Sequence, residues 1–117
     1  RYNHPSDPSP QPLDLNFQGW AVVSSKENGA FRFKTVMPGA YPASGSWTRP
    51  PHIHFKISKP GYATLITQMY FPDEPLNKTD LLLRHKNALE RPMMIAKQIG
   101  NEEEMVVYEY NIVLAEI

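Results

Sequence analysis

Cysteine is absent from the 117 residues. That excludes a disulfide framework, a thiolate nucleophile and any sulfur-bound metal, so a metal in this chain must be held by nitrogen and oxygen. An excess of either charge is missing as well: 12 Lys and Arg stand against 12 Asp and Glu. Such a balance offers no basic field to collect nucleic acid and no polybasic patch for a membrane surface. No apolar run approaches the roughly 20 residues that span a bilayer, and the polar, Pro-rich stretch 1–12 does not have the form of a signal peptide. With neither nucleic acid nor membrane expected, the partner is a small or neutral molecule. What is present is ordinary: 41% hydrophobic and 21% charged residues place the chain among folded globular proteins, with length for one domain over 1–117.

Twelve prolines argue against a helical bundle and for strands joined by shaped loops. Trp20-Ala21-Val22-Val23 and the alternating Phe31-Arg32-Phe33-Lys34 are expected to pair as a hairpin across the turn at Lys26–Gly29. Residues 37–51 carry four Pro and two Gly and are expected to form one long irregular loop, a type of segment that often carries function. Strands are expected over 52–58, 63–71 and 105–114. Thr79 is the expected N-cap of a helix over 80–90, with Pro92 ending it or opening a second short helix through Ala96. The Leu81–Leu83 and Met93-Met94 groups are expected to face the core. The fold class is all-β, an antiparallel β-sandwich with a short helical excursion near 79–98.

Chemistry concentrates beside the long loop. In HIHFKIS (52–58), Ile53, Phe55 and Ile57 share one strand face and His52, His54, Lys56 and Ser58 the other. Two residues apart on a strand places the imidazoles about 7 Å apart at Cβ, close enough for their ring nitrogens to converge on one metal. The same row would equally suit the solvated side of a half-buried strand. Arg49-Pro50-Pro51 holds the backbone rigid at the first histidine and favours the metal. No Asp or Glu lies between His54 and Gly61, and only His4 and His85 stand outside the pair, which disfavours a cupin-like divalent-metal site. The remaining oxygen donors are tyrosines. Tyr2 and Tyr41, both in Pro-rich loops, are candidates, because a trivalent ion at bonding distance would remove the phenolic proton. Tyr62, Tyr70, Tyr108 and Tyr110 fit packing roles better.

RYNHPSDP (1–8), PLDLNFQGW (12–20), FKTVMPGAYP (33–42), RPPHIHF (49–55) and LITQMYF (65–71) together resemble the intradiol ring-cleavage dioxygenases of protocatechuate and catechol type. The five blocks occur in order, and the resemblance weakens after Asp73. It implies a mononuclear non-haem Fe(III) bound by Tyr2, Tyr41, His52 and His54, with Tyr41 as the phenolate that leaves when substrate binds. It implies Arg49 beside the substrate and Gln68 as an active-site glutamine. The implied partners are a catechol-type aromatic and O2, joined to a cis,cis-muconate-type diacid by cleavage between the hydroxylated carbons.

Two departures qualify what the resemblance implies. Ala43-Ser44-Gly45 follows the Tyr-Pro pair where a bulky substrate-contacting residue is usual, which leaves the ring substituents open. Family members carry further strands before the RY motif, so an N-terminal segment or an oligomer partner is expected to complete the domain. A cytoplasmic location is expected, with secreted or periplasmic alternatives open. The rival from another class is a non-catalytic β-sandwich module in which the same His and Tyr residues line a small-molecule groove.

Overall fold

The computed structural model describes residues 15–117. Its strands pair as three antiparallel hairpins. β1 (Tyr41–Ser44) pairs with β2 (Trp47–Arg49), β3 (His52–Ile57) with β4 (Leu65–Tyr70), and β5 (Lys97–Glu102) with β6 (Met105–Glu109). A 3-10 turn at Pro75–Thr79 and two four-residue helices, α1 (Leu81–Arg84) and α2 (Glu90–Met93), lie between β4 and β5. The architecture is therefore all-β with one short helical excursion.

β3 and β4 keep an unbroken register from His52↔Tyr70 through His54↔Gln68 to Ile57↔Leu65. Alternation then sorts the two faces. Ile53, Phe55 and Met69 join Phe71, Ala96, Tyr108 and Tyr110 in the apolar cluster. His52, His54, Gln68 and Tyr70 stand on the opposite face. The chain after α2 is tied to β4 through Tyr70, whose N–H donates to Met94 O and whose carbonyl accepts from Ala96 N, both at 2.8 Å.

Several sequence expectations need correction. Residues 37–51 are not one irregular loop: β1 and β2 form a hairpin inside it, turning at Gly45 with φ +54°. Pro42 is tolerated there because the two-stranded ribbon has open edges, and the register slips between Pro42 and Ser44. The turn expected after residue 25 does form, with Lys26 N donating to Ala30 O at 2.8 Å. Among the described residues, however, no ladder joins 20–23 to 31–34. An isolated two-stranded pairing is marginal in water. Residues 31–34 are held by their side chains instead. Phe31 and Phe33 pack on Phe55 with ring centroids 6.2 and 6.0 Å away, while Arg32 and Lys34 reach Glu102 and Glu103.

The helix expected over 80–90 is broken in two, because the Asn87 side chain accepts from Leu89 N and Glu90 N and restarts the helix at α2. α1 is capped by Asp80 rather than Thr79. No helix runs through Ala96, since β5 begins at Lys97. The strand expected over 63–71 spans 65–70, and the one over 105–114 stops at Glu109. Of the Leu81–Leu83 group only Leu83 is buried, and Met93 is exposed. No helix among the described residues is long and apolar enough to cross a membrane.

Phe71 packs edge-on against Tyr108 at a centroid distance of 5.1 Å. Phe71→Ala in the full-length protein is expected to cost about 3–5 kcal/mol in urea unfolding. Ile66→Ala, at a position 74% exposed on the preceding strand β4, should stay within about 0.5 kcal/mol. Equal losses from the two would show that the core does not lie on this face.

Candidate metal centre

The β1–β2 register sets Tyr41 directly opposite Arg49. Both are buried, at 8% and 3% exposure. Pro50 and Pro51 then carry the chain from Arg49 into β3, so His52 begins a strand at the point where β2 ends. The Tyr41 and His52 ring centroids lie 5.9 Å apart, and those of His52 and His54 lie 5.0 Å apart. Cross-strand pairing adds Gln68 beside His54 and Tyr70 beside His52. Sequence reasoning thus named five side chains that the fold does bring together: Tyr41, Arg49, His52, His54 and Gln68. Tyr2 lies outside the described residues.

Arg49 is the hub. Its Nε donates to Asp80 Oδ1 at 3.0 Å, and its Nη2 reaches Gln68 Oε1 at 2.7 Å, Tyr70 OH at 2.9 Å and Asp80 Oδ2 at 3.2 Å. Its Nη1 lies 3.1 Å from His52 Nε2. Asp80 is fully buried and also accepts from Tyr70 OH at 2.7 Å and Leu83 N at 3.1 Å. Burial alone would lower the Arg49 pKa, but the bond and charge of Asp80, with further support from Tyr70 and a hydrogen bond to Tyr41, leave it above its usual value. Burial would raise Asp80, yet the bonds from Arg49, Tyr70 and Leu83 N hold it below the ordinary carboxylate range. Tyr70, desolvated and donating to a carboxylate, is pushed well above the phenol range and stays neutral.

Asp80 and Tyr70 are the members that the sequence did not disclose. Tyr70 was legible as a face-mate of Gln68 two residues along β4. Asp80 stood only as the first residue of the helix expected after Thr79, and nothing local told of its burial against an arginine 31 positions away.

His52 Nδ1 lies 2.7 Å from the carbonyl of Pro50. A carbonyl can only accept, so Nδ1 carries the proton and the Nε2 lone pair is the one that accepts from Arg49 Nη1 at 3.1 Å. Burial, reinforced by the charges of Arg49 and His54, lowers the His52 pKa to about 4 despite the Pro50 bond. A neutral imidazole anchored through Nδ1 is the form that ligates metals, with the carbonyl fixing ring and tautomer. Among the described residues, no group of three or more His, Asp or Glu could hold a metal ion. The buried Tyr41 beside His52 adds an oxygen donor type to the two imidazoles.

An antiparallel β framework thus brings a tyrosine and two histidines beside a buried arginine, a grouping of nitrogen- and oxygen-bearing side chains. A family model described as Dioxygenase matches residues 1–116. The chain is 36% identical to the protocatechuate 3,4-dioxygenase beta chain of Burkholderia cepacia, over 97% of this chain and 51% of that protein. It is 40% identical to the 6-chlorohydroxyquinol 1,2-dioxygenase of Cupriavidus pinatubonensis over 45% of this chain and 24% of the relative. It is 31% identical to the catechol 1,2-dioxygenase of Candida albicans over 57% and 26%. The chain belongs to the intradiol ring-cleavage dioxygenase family, as its five sequence blocks implied. It spans about half the length of the Burkholderia relative and less of the other two.

The lowered His52 pKa gives acid sensitivity a definite sign. An unfolded histidine takes up its proton near 6.5, whereas folded His52 resists until about 4. The stability of the metal-free protein is therefore whole above 6.5 and declines through that interval as pH falls. The contribution from the depressed Asp80 carboxyl persists to lower pH and is lost as pH drops through its folded value. His52→Gln should remove the difference in urea midpoint that wild type shows across the upper interval. A variant with an unchanged pH slope would contradict the buried neutral imidazole.

Proposed function

We propose that this protein is an oxidoreductase that cleaves a catechol-type ring between its two hydroxylated carbons, using O2 and a mononuclear non-haem Fe(III). The carrying observation is the convergence of Tyr41, His52 and His54 beside the Arg49–Gln68 pair. Tyr41, His52 and His54, together with Tyr2, would hold the metal. When bound, ferric iron would supply a Lewis-acidic centre that favours the doubly deprotonated catechol.

The chain's own groups account for the rest. The Tyr41 phenolate oxygen is a base able to take one substrate proton, so no separate histidine base is required. His52 stays neutral and oriented through Pro50. The Arg49 guanidinium is a fixed positive group in a desolvated setting, suited to negative charge developing on the ring oxygens. Gln68 helps to hold that guanidinium. Atoms balance without a reductant, because both oxygen atoms of O2 enter the two carboxyl groups of the cis,cis-muconate-type product. Ala43, Ser44 and Gly45 beside Tyr41 are small and leave room for ring substituents.

The full-length protein supplied with iron should show a visible tyrosinate-to-iron(III) band. With a catechol under ¹⁸O₂ it should place label in both new carboxylates, apart from loss by exchange. His52→Ala or His54→Ala should abolish iron retention, since no thiol exists to substitute. Tyr41→Phe should keep iron and slow turnover on the order of 10²-fold, the range of a lost proton-transfer group. A yellow semialdehyde product would mean cleavage beside the diol. Stoichiometric iron without oxygen uptake across catechol, protocatechuate and hydroxyquinol would favour the small-molecule binding module instead.

A further inference from the structure

Asp80 belongs to none of the motifs that name the candidate metal site, yet among the described residues it is the one carboxylate fully enclosed with the site's arginine. Its two oxygens accept four contacts: Arg49 Nε, Arg49 Nη2, Tyr70 OH and Leu83 N. The guanidinium is planar, so a carboxylate engaging Nε and Nη2 together fixes the plane and leaves one rotational setting. Gln68 and Tyr70 take up the remaining side of Nη2. Only Nη1 is left, and it is aimed at His52 Nε2 at 3.1 Å. The same carboxylate caps α1, so the position of that helix is coupled to the arginine.

We propose that Asp80 is a positioning residue: by gripping the Nε–Nη2 edge of Arg49 and capping α1, it sets the Nη1 edge toward the histidine pair, where a substrate anion would meet it. The inference rests on the functional reading above for the identity of that anion, but the grip on Arg49 can be measured without any metal. Asp80→Asn keeps the volume and a cap acceptor while presenting an NH₂ group to donors that expect oxygen. Tyr70→Phe removes one of the bonds that orient Asp80 and preserves packing.

The test uses the full-length protein. In the metal-free form, the Arg49 Nε–H proton should give a downfield, slowly exchanging NMR resonance that shifts upfield and exchanges at least 10-fold faster in Asp80→Asn, with a smaller change in Tyr70→Phe. In the iron-loaded form, Asp80→Asn should keep its iron and its tyrosinate band. Anaerobic titration with catechol should bind about 10-fold more weakly, a loss typical of removing a supporting partner of a site group. The double variant Arg49→Gln/Asp80→Asn should be no worse than Arg49→Gln, because a residue acting only through Arg49 has nothing further to remove. Leu82→Gly, which destabilises α1 at a half-exposed position, should lower the melting temperature and leave catechol affinity unchanged. The proposal is overturned by an unchanged Nε–H resonance in whichever variant folds, or by Asp80→Asn and Arg49→Gln losses that simply add. Failure of the wild-type protein to take up iron would refute the functional reading alone, since the Nε–H resonance still decides the grip on Arg49.

Discussion

The buried ion pair between Arg49 and Asp80 is the constraint on which the site depends. The two side chains are 4% and 0% exposed, and taking such charges out of water costs several kcal/mol each. That cost is offset only where nearly every polar atom finds a partner. Here the carboxylate receives bonds from the guanidinium, a phenol and a backbone N–H, while the guanidinium also reaches Gln68, Tyr70 and His52. The pair adds less to net stability than its short distances suggest. Its contribution is to allow one arrangement of β2, β4 and α1 and to penalise the alternatives, since an unpaired charge left inside would be far more costly.

The electrostatics of the centre follow from that arrangement. The guanidinium stays protonated because Asp80 faces it, and its charge helps keep His52 neutral. Tyr70, enclosed beside the same carboxylate, stays a neutral phenol and serves as a hydrogen-bond donor. Two tyrosines near one arginine are thereby given different roles by position. Tyr41 lies beside the histidine rings, and Tyr70 lies against a carboxylate that holds its proton. The Tyr41 and His52 rings lie together on one side of the Arg49–Asp80 pair, with Arg49 Nη1 facing His52 Nε2.

Much of this was legible residue by residue. Period-two alternation in HIHFKI assigned both faces of β3 correctly, because the side-chain direction of a strand is a local property. The absence of Cys and of a nearby carboxylate turned attention to tyrosine, and the geometry around Tyr41 is consistent with it. The unbroken alternation of Phe31 to Lys34 was equally clear and did sort apolar from charged side chains, yet no ladder formed. Pairing depends on a partner strand, which a pattern within four residues cannot supply. The density of Pro and Gly over 37–51 suggested irregularity, whereas a ribbon with open edges accommodates Pro42.

By itself the sequence determined the strand faces, the Pro-Pro link before His52 and membership of the family, all of which reside in residue types and short-range spacing. Tertiary structure alone decided that Asp80 would be enclosed against Arg49 and that Tyr70 would be a donor rather than packing alone. The physical reason is that burial and charge pairing depend on segments far apart in the chain meeting in one volume. An acidic residue at position 80 looks like any residue of a helix's first turn until the fold removes water from around it and leaves Arg49, Tyr70 and Leu83 N as its partners.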